Sequence, residues 1–327
     1  MAEPRKIQLV KITHVYYKYP DMDKAVAFLK DFGFTEEKRV SDEKIYFRGY
    51  GTDPWVLCAI KSDKPEFGGA AFVVESEEDL QLATETIPKA SKIYELEDAP
   101  GGGKGVTFYD PVDGYPMHLV WGQTPVPMLD IPLPHEPVNY PTEKNRPAGK
   151  FQRFQKRPAP VHKLGHFGVR TTNFAKAYEF YCRHFNFLAS DLIHDDKGID
   201  RTVFYRLNKG DEPVDHHVFF FAEGGSYRVH HSSFETHDFD TQVLGHDWLR
   251  EKGYKNCWGV GRHVLGSQIF DYWYDPFGFI MEHYVDGDLV TASEPTHRSQ
   301  AGPGSLHVWG EYPSLISDLV IQQDSAN

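Results

Sequence analysis

The chain repeats itself, and the repeat limits what it can fold into. Lys11-Ile12-Thr13-His14-Val15-Tyr16-Tyr17 is followed, ten residues after its histidine, by Lys24-Ala25-Val26-Ala27-Phe28. Lys163-Leu164-Gly165-His166-Phe167-Gly168-Val169 is followed at the same spacing by Lys176-Ala177-Tyr178-Glu179-Phe180. In both halves an alternating, strand-like run leads into a segment of helical period, closing on Phe32-Gly33-Phe34 and Phe185-Asn186-Phe187. A third copy begins at Val229-His230-His231-Ser232-Ser233-Phe234 and continues into a helical pattern over Asp238–Arg250. A weaker fourth pairs Gly69–Val74 with a helical Glu77–Thr84.

Strand-like runs follow each helical segment: Lys44–Phe47, Trp55–Ile60, Thr202–Leu207, His217–Ala222, Gln268–Tyr274 and Phe279–Val285. The unit is βαβββ, four times over. A unit this small cannot close a core of its own and must pair. The expected architecture is α+β, with four βαβββ modules paired into two similar domains. Between the halves, Thr124–Pro160 holds nine of the 22 prolines and no hydrophobic period, so it reads as an irregular connector. With a boundary near residue 150, the expected layout is a first domain over 1–123, a connector over 124–160, a second domain over 161–290 and a tail over 291–327. The Ser/Gly/Pro-rich tail, with one apolar patch at Leu306–Trp309, is expected to pack on a domain or on a neighbouring subunit.

At 327 residues there is length for two sizeable cores. A net charge of −12 argues against a duplex nucleic-acid partner, which calls for a basic surface. No apolar run approaches membrane-spanning length, and the first residues lack the apolar core of a signal peptide. Cys58, Cys182 and Cys257 stand singly, without disulfide or CxxC spacing. A reducing cytoplasm is the expected compartment.

Histidine is the unusual residue. There are 17, twelve of them between His162 and His283, with the pairs His216-His217 and His230-His231. Alternation in a strand sends the two rings of a pair to opposite faces, so at most one of each is expected to face a common site. On the run from Leu164, His166 shares a face with Gly168 while Phe167 and Val169 turn to the core. On the run from Val229, His231 shares a face with Ser233 while Phe234 turns away. Glu282 sits in the last strand of the last unit, within Phe279–Val285, and that strand can return beside the first. A carboxylate in an aromatic strand is costly to bury unless paired or metal-bound, the alternative being a solvated sheet edge. Two imidazoles and one carboxylate, all carried on strands, make the ligand set of a facial iron(II) site with open positions. The first half offers His14, Gly69 and His118 at the corresponding places, and is expected to keep the fold without the metal.

The phrases LGHFGV, VHHSSFE and IMEHYVDGD resemble those of the type I extradiol ring-cleaving dioxygenases of the vicinal oxygen chelate superfamily, over Ile12 to about Asp288. That resemblance implies domains built as open mixed β-barrels with outer helices, and metal ligands His166, His231 and Glu282. His263 and Tyr272 match the family's histidine and tyrosine nine residues apart, with the ligand Glu282 ten residues on. His217, 14 residues before His231, takes the place of the family's acid–base histidine. His194, His237, His246 and His283 find no matched role. Arg262 is left between orienting an anionic group and capping a loop.

The implied reaction opens the ring of a catechol beside its vicinal diol with O2, giving a semialdehyde. Fe(II) is the implied metal, with Mn(II) accepting the same ligands. Tyr272 and His263 would share a proton with the diol, and His217 would hold one for reduced oxygen. Phe219, Phe221 and Phe270 are expected to line an apolar pocket. Members of this fold often form homo-oligomers. The superfamily also includes metal-free ligand-sequestering proteins and keto-acid-using 4-hydroxyphenylpyruvate dioxygenases. The former typically lack the triad that this chain retains, and the latter need not have His217 with the His263–Tyr272 pair.

Overall fold

The computed structural model describes residues 5–225 and 228–310. The first half runs β1 (Leu9–Tyr19), α1 (Met22–Phe32), β2 (Thr35–Ser41), β3 (Lys44–Arg48), β4 (Leu57–Lys61), then β5 (Glu66–Val74), α2 (Glu77–Thr86), β6 (Tyr94–Glu95), β7 (Lys104–Tyr109) and β8 (Pro116–Trp121). The second half repeats the order with β9 (Leu164–Thr171), α3 (Phe174–His184), β10 (Phe187–His194), β11 (Asp200–Leu207), β12 (Val214–Asp215) and β13 (Phe219–Glu223). It continues through β14 (Arg228–Glu235), α4 (Phe239–Glu251), β15 (Asn256–His263), β16 (Ile269–Tyr274) and β17 (Ile280–Val285). Three short strands close the described chain: β18 (Leu289–Val290), β19 (His297–Gln300) and β20 (His307–Gly310).

Each module starts its helix the same way. Asp21, Ser76, Asn173 and Asp238 are extended N-caps whose side chains accept the amide three residues on, satisfying a donor that the helix leaves free. Helix α1 then buries Met22, Ala25, Phe28, Leu29 and Phe32, a single stripe at helical spacing.

The modules pair through their first strands. The two large mixed sheets have the orders β2-β3-β4-β1-β5-β8-β7-β6 and β19-β10-β11-β13-β9-β14-β17-β16-β15-β20, and β12 pairs with β18 in a small sheet of its own. Antiparallel β1–β5 and β9–β14 join two modules in each half, while β8 and β17 run parallel to β5 and β14. Both sheets are open, ending on edge strands. The tail strands β19 and β20 add to the two edges of the second sheet, so this stretch packs on its own chain.

Between β8 and β9 the chain is irregular, with one isolated bridge between Asn139 and Lys144. One apolar cluster spans both halves, bringing Phe28, Phe32 and Phe72 together with Phe167, Phe219 and Phe234.

Candidate metal centre

Strand register builds the site. Ser233 on β14 stands opposite His166 on β9 and, on its other side, opposite Glu282 on β17. Glu282 faces Tyr272 on β16, which faces Trp258 on β15. Five side chains thus form one row across five strands. The next row is Phe220, Gly168 and His231. Residues two apart on a strand share a face, so both rows look the same way. The opposite face of β9 and β14 carries Phe167, Val169 and Phe234 into the core.

From these rows His166 Nε2, His231 Nε2 and Glu282 Oε2 converge. The two nitrogens are 3.1 Å apart, and the carboxylate oxygen lies 3.1 Å from His166 and 3.2 Å from His231. Three atoms at that mutual spacing match one triangular face of an octahedron whose bonds are ~2.2 Å. Glu282 is fully buried, between β14 and β16, which removes the solvated-edge alternative. Neither of its oxygens, nor His166 Nδ1, has a hydrogen-bond partner in the protein. A buried carboxylate without partners is costly, and a cation among these three groups would satisfy it. Among the described residues this is the one cluster of three such groups close enough to hold an ion.

The electrostatics agree with a ligand set. Burial alone pushes the Glu282 carboxyl up, but the imidazoles of His166 and His231 outweigh it and hold it well below the usual range. Burial takes His231 down to about 4, leaving a neutral ring with a lone pair to give. His231 Nδ1 lies 2.7 Å from His230 Nδ1, so the adjacent histidine orients the ring.

His217 packs its ring 4.2 Å from that of His166, and burial, followed by the His166 and His216 rings, holds it well below an ordinary histidine. His217 Nδ1 meets His216 Nδ1 at 3.1 Å, while His216 Nε2 sits 2.9 Å from Asp191. Tyr272 places its hydroxyl 2.8 Å from His263 Nε2, and its ring 5.0 Å from that of His231. Burial and then the Glu282 charge raise Tyr272 well above an ordinary phenol. His263 Nε2 lies 3.8 Å from Glu282 Oε1, and its Nδ1 reaches the Leu306 carbonyl at 2.8 Å. All six residues singled out in the sequence therefore fall in one place.

Two of the three expected pocket residues need correction. Phe219 and Phe221 do not line the site: Phe219 stacks on Phe167 at 4.7 Å, and Phe221 packs against Tyr181 and Phe174 in the core. Parallel pairing sets Phe219 beside Phe167 and Phe220 beside Gly168, so Phe220 is the aromatic that looks toward the histidines. A Cβ on Gly168 would lie 1.9 Å from its ring, so only glycine leaves room. Phe270 does belong to the site wall, 4.1 Å from His263 and 4.0 Å from Trp258.

Alternation fails at both histidine pairs. His216 and His217 precede β13 instead of lying in it. His230 is the extra residue of a β-bulge, since Val229 pairs with Val169 and His231 with the next residue, Gly168. Trp258, Phe220 and the Leu306 carbonyl were not legible beforehand; glycine at 168 was the nearest signal for Phe220.

The unassigned residues have structural partners. His194 and His237 bind the carbonyls of Asp195 and Pro134, His246 binds Asp271, and His283 binds the Phe32 carbonyl. Arg262 ties its own loop through the Ser267 carbonyl and Asp286, the capping alternative.

In the first half, His14 and His118 both oppose Ala71, as His166 and Glu282 oppose Ser233. Gly69 stands where His231 stands, and His118 is engaged with Thr107 and the Gly68 carbonyl. His14 stacks on Trp55 at 3.5 Å.

Comparison with known proteins agrees with this geometry. Residues 163–282 match the Glyoxalase/Bleomycin resistance protein/Dioxygenase superfamily. The chain is 28% identical over 318 residues to metapyrocatechase 2 of Cupriavidus necator, covering 94% of this chain and 91% of that one. It is 23% identical over 299 residues to a manganese-dependent 2,3-dihydroxybiphenyl 1,2-dioxygenase of Geobacillus genomosp. 3, covering 86% and 87%. In fold it is similar to the Mn(II)-bound glyoxalase of Novosphingobium aromaticivorans, with a TM-score of 0.77, 21% identity and coverage of 94% and 93%. Homoprotocatechuate 2,3-dioxygenase of Brevibacterium fuscum, in complex with 3,4-dihydroxyphenylacetate, also superimposes at a TM-score of 0.77, with 18% identity and coverage of 94% and 91%.

Proposed function

We propose that this chain, whose residues 163–282 match that superfamily, is a non-haem Fe(II) extradiol dioxygenase. It opens a catechol-type ring beside the vicinal diol with O2 and yields a muconic-semialdehyde-type product. The observation that carries the reading is the buried triangle of His166, His231 and Glu282, with neither Glu282 oxygen making a protein hydrogen bond. We assign those three as ligands of Fe(II), or of Mn(II), which takes the same donors. In this reading residues 161–290 carry the chemistry and residues 1–123 hold no metal. No described helix is long and apolar enough to cross a membrane. A cytoplasmic homo-oligomer is the expected form.

A bound metal supplies Lewis acidity toward the two diol oxygens and an open position for O2. The rest falls to side chains. The Leu306 carbonyl can only accept, so His263 carries its proton on Nδ1 and turns the Nε2 lone pair toward Tyr272. That pair is placed to take a phenolic proton from the incoming diol. His217, kept neutral by burial, accepts a proton and returns it as the ring opens. Phe220, Trp258 and Phe270 form apolar walls suited to a planar ring.

Anaerobic reconstitution with Fe(II), followed by catechol, a 3-substituted catechol and homoprotocatechuate in air, tests the proposal. The expected result is a yellow semialdehyde with one O2 consumed per diol. Iron bound without product, and without any diol-dependent spectral change, would overturn it in favour of a keto-acid-using dioxygenase or a ligand-sequestering protein.

A further inference from the structure

The last described strand, β20, borders the site: its His307 ring lies 5.6 Å from that of Trp258, and Leu306, the residue just before it, packs on Trp258, Phe270 and Tyr272 and offers its carbonyl to His263. The strand pairs antiparallel with β15 through Gly261–Gly310, Arg262–Trp309 and His263–His307, with a register shift between Arg262 and His263. At that shift the Leu306 carbonyl turns to His263 Nδ1, 2.8 Å away. Phe270 and Trp258 hold the plane of the His263 ring, but neither decides which nitrogen carries the proton. The carbonyl does. It has no hydrogen to give, and a neutral imidazole has only one, so a proton on Nδ1 leaves Nε2 as an acceptor. The Tyr272 hydroxyl at 2.8 Å completes the chain by donating to that nitrogen.

We propose that β20 is a positioning element for the reaction: through the Leu306 carbonyl it fixes the His263 tautomer, so that Nε2 faces Tyr272 and the diol as a proton acceptor. The proposal rests on the dioxygenase reading and names a part of the site outside the metal ligands. Its anchor is the pairing of Gly310 with Gly261, two residues before His263 on β15. Gly310 adopts φ +127°, and a Cβ there would sit 2.6 Å from the Gly261 Cα, so the two strands meet glycine to glycine. Backbone lies on both sides of that contact, so a larger residue cannot be absorbed by a side-chain rotation.

The test uses the full-length protein with two alterations that move β20 and substitute no side chain of the site. These are Gly310→Val and deletion of Ser305, which draws the Leu306 carbonyl out of register. Each is expected to lower kcat for ring opening by about tenfold or more, with iron content and diol KM changed by less than about threefold. In a His263→Gln background the same alterations should add less than about twofold, because the group they act through is gone. A second readout needs no metal. In the 15N-histidine-labelled apoprotein, the signal lost in His263→Gln should be that of an Nδ1-protonated ring, and should shift toward the other tautomer in Gly310→Val.

Unchanged kcat in both altered proteins, fully additive losses, or an Nε2-protonated His263 in the parent would each overturn the proposal. Failure of the underlying reading looks different. A parent that opens no ring but shows Nδ1-protonated His263 sinks the dioxygenase assignment alone, whereas an active parent with the opposite tautomer sinks only the role of β20.

Discussion

Glu282 shows how one residue can combine folding cost and function. It is completely buried, its oxygens have no protein hydrogen bonds, and its nearest polar neighbours are two imidazoles. Any cation that binds the folded form alone adds stability by mass action, about 3–4 kcal/mol at 100–1,000 times its Kd. Urea unfolding of the parent should therefore move with added Fe(II) or Mn(II), while Glu282→Gln should bind little metal and unfold at the same midpoint with or without it. A metal-dependent midpoint in that variant would remove Glu282 from the ligand set. His217→Ala is expected to behave oppositely, retaining about one iron per chain while turnover falls by a factor of about 10²–10⁴. Unchanged ring-cleavage rates would strip His217 of its role. His166 and His231 were legible because each lies in a recurring phrase whose core-facing neighbours fix the face, whereas His217 was placed only by the family resemblance. The run Phe219-Phe220-Phe221 carries no such mark of phase, so the choice of face fell to the pairing with Gly168.

At the scale of elements, bulges and edges were the illegible part. Nothing in Val229–Ser233 announces that His230 is an extra residue, and β19 and β20 lack the alternation that identifies a strand. The β16–β17 hairpin, by contrast, was plain from its Asp-Pro-Phe-Gly turn, and that turn has a measurable consequence. Asp275 accepts the amides of Phe277 and Phe279, yet burial outweighs those bonds and raises its carboxyl to about 7. An unfolded aspartate titrates near 3.9, so between about pH 4 and 7 the folded chain keeps a proton that the unfolded chain has released. The stabilisation this confers is complete below about pH 4 and lost as pH rises through about 7. Asp275→Asn keeps an acceptor for both amides and removes the titration. Its stability relative to the parent should therefore improve by about 2.5–3 kcal/mol between pH 5 and pH 8, read from urea midpoints. A constant difference across that range would show that Asp275 is already ionised at pH 5.

The whole molecule explains why a half without the ligand set is retained. At the end of α1, the Phe32 carbonyl accepts from His283 Nε2 at 2.7 Å, and the Phe32 ring stacks on His283 at 3.8 Å. His283 is the neighbour of Glu282. Tyr17 on β1 bonds Ser232 on β14 at 2.8 Å, beside both His231 and Ser233. Tyr115, just before β8, bonds the Arg170 carbonyl at 2.6 Å, and Leu9 exchanges two hydrogen bonds with Asn186. The first half thus braces the backs of the two strands that carry His231 and Glu282, and one apolar cluster runs through both halves. Phe32→Ala removes a fully buried ring from that seam and should cost about 3–5 kcal/mol. It should also weaken metal binding, although Phe32 approaches no ligand atom. If the halves fold as one, Trp55 in the first half and Trp258 beside Tyr272 should report the same urea midpoint in single-tryptophan proteins, both in the parent and in Phe32→Ala. Two separated transitions, with metal released only in the second, would instead make the first half an independent domain and leave the geometry of Glu282 to the second sheet alone.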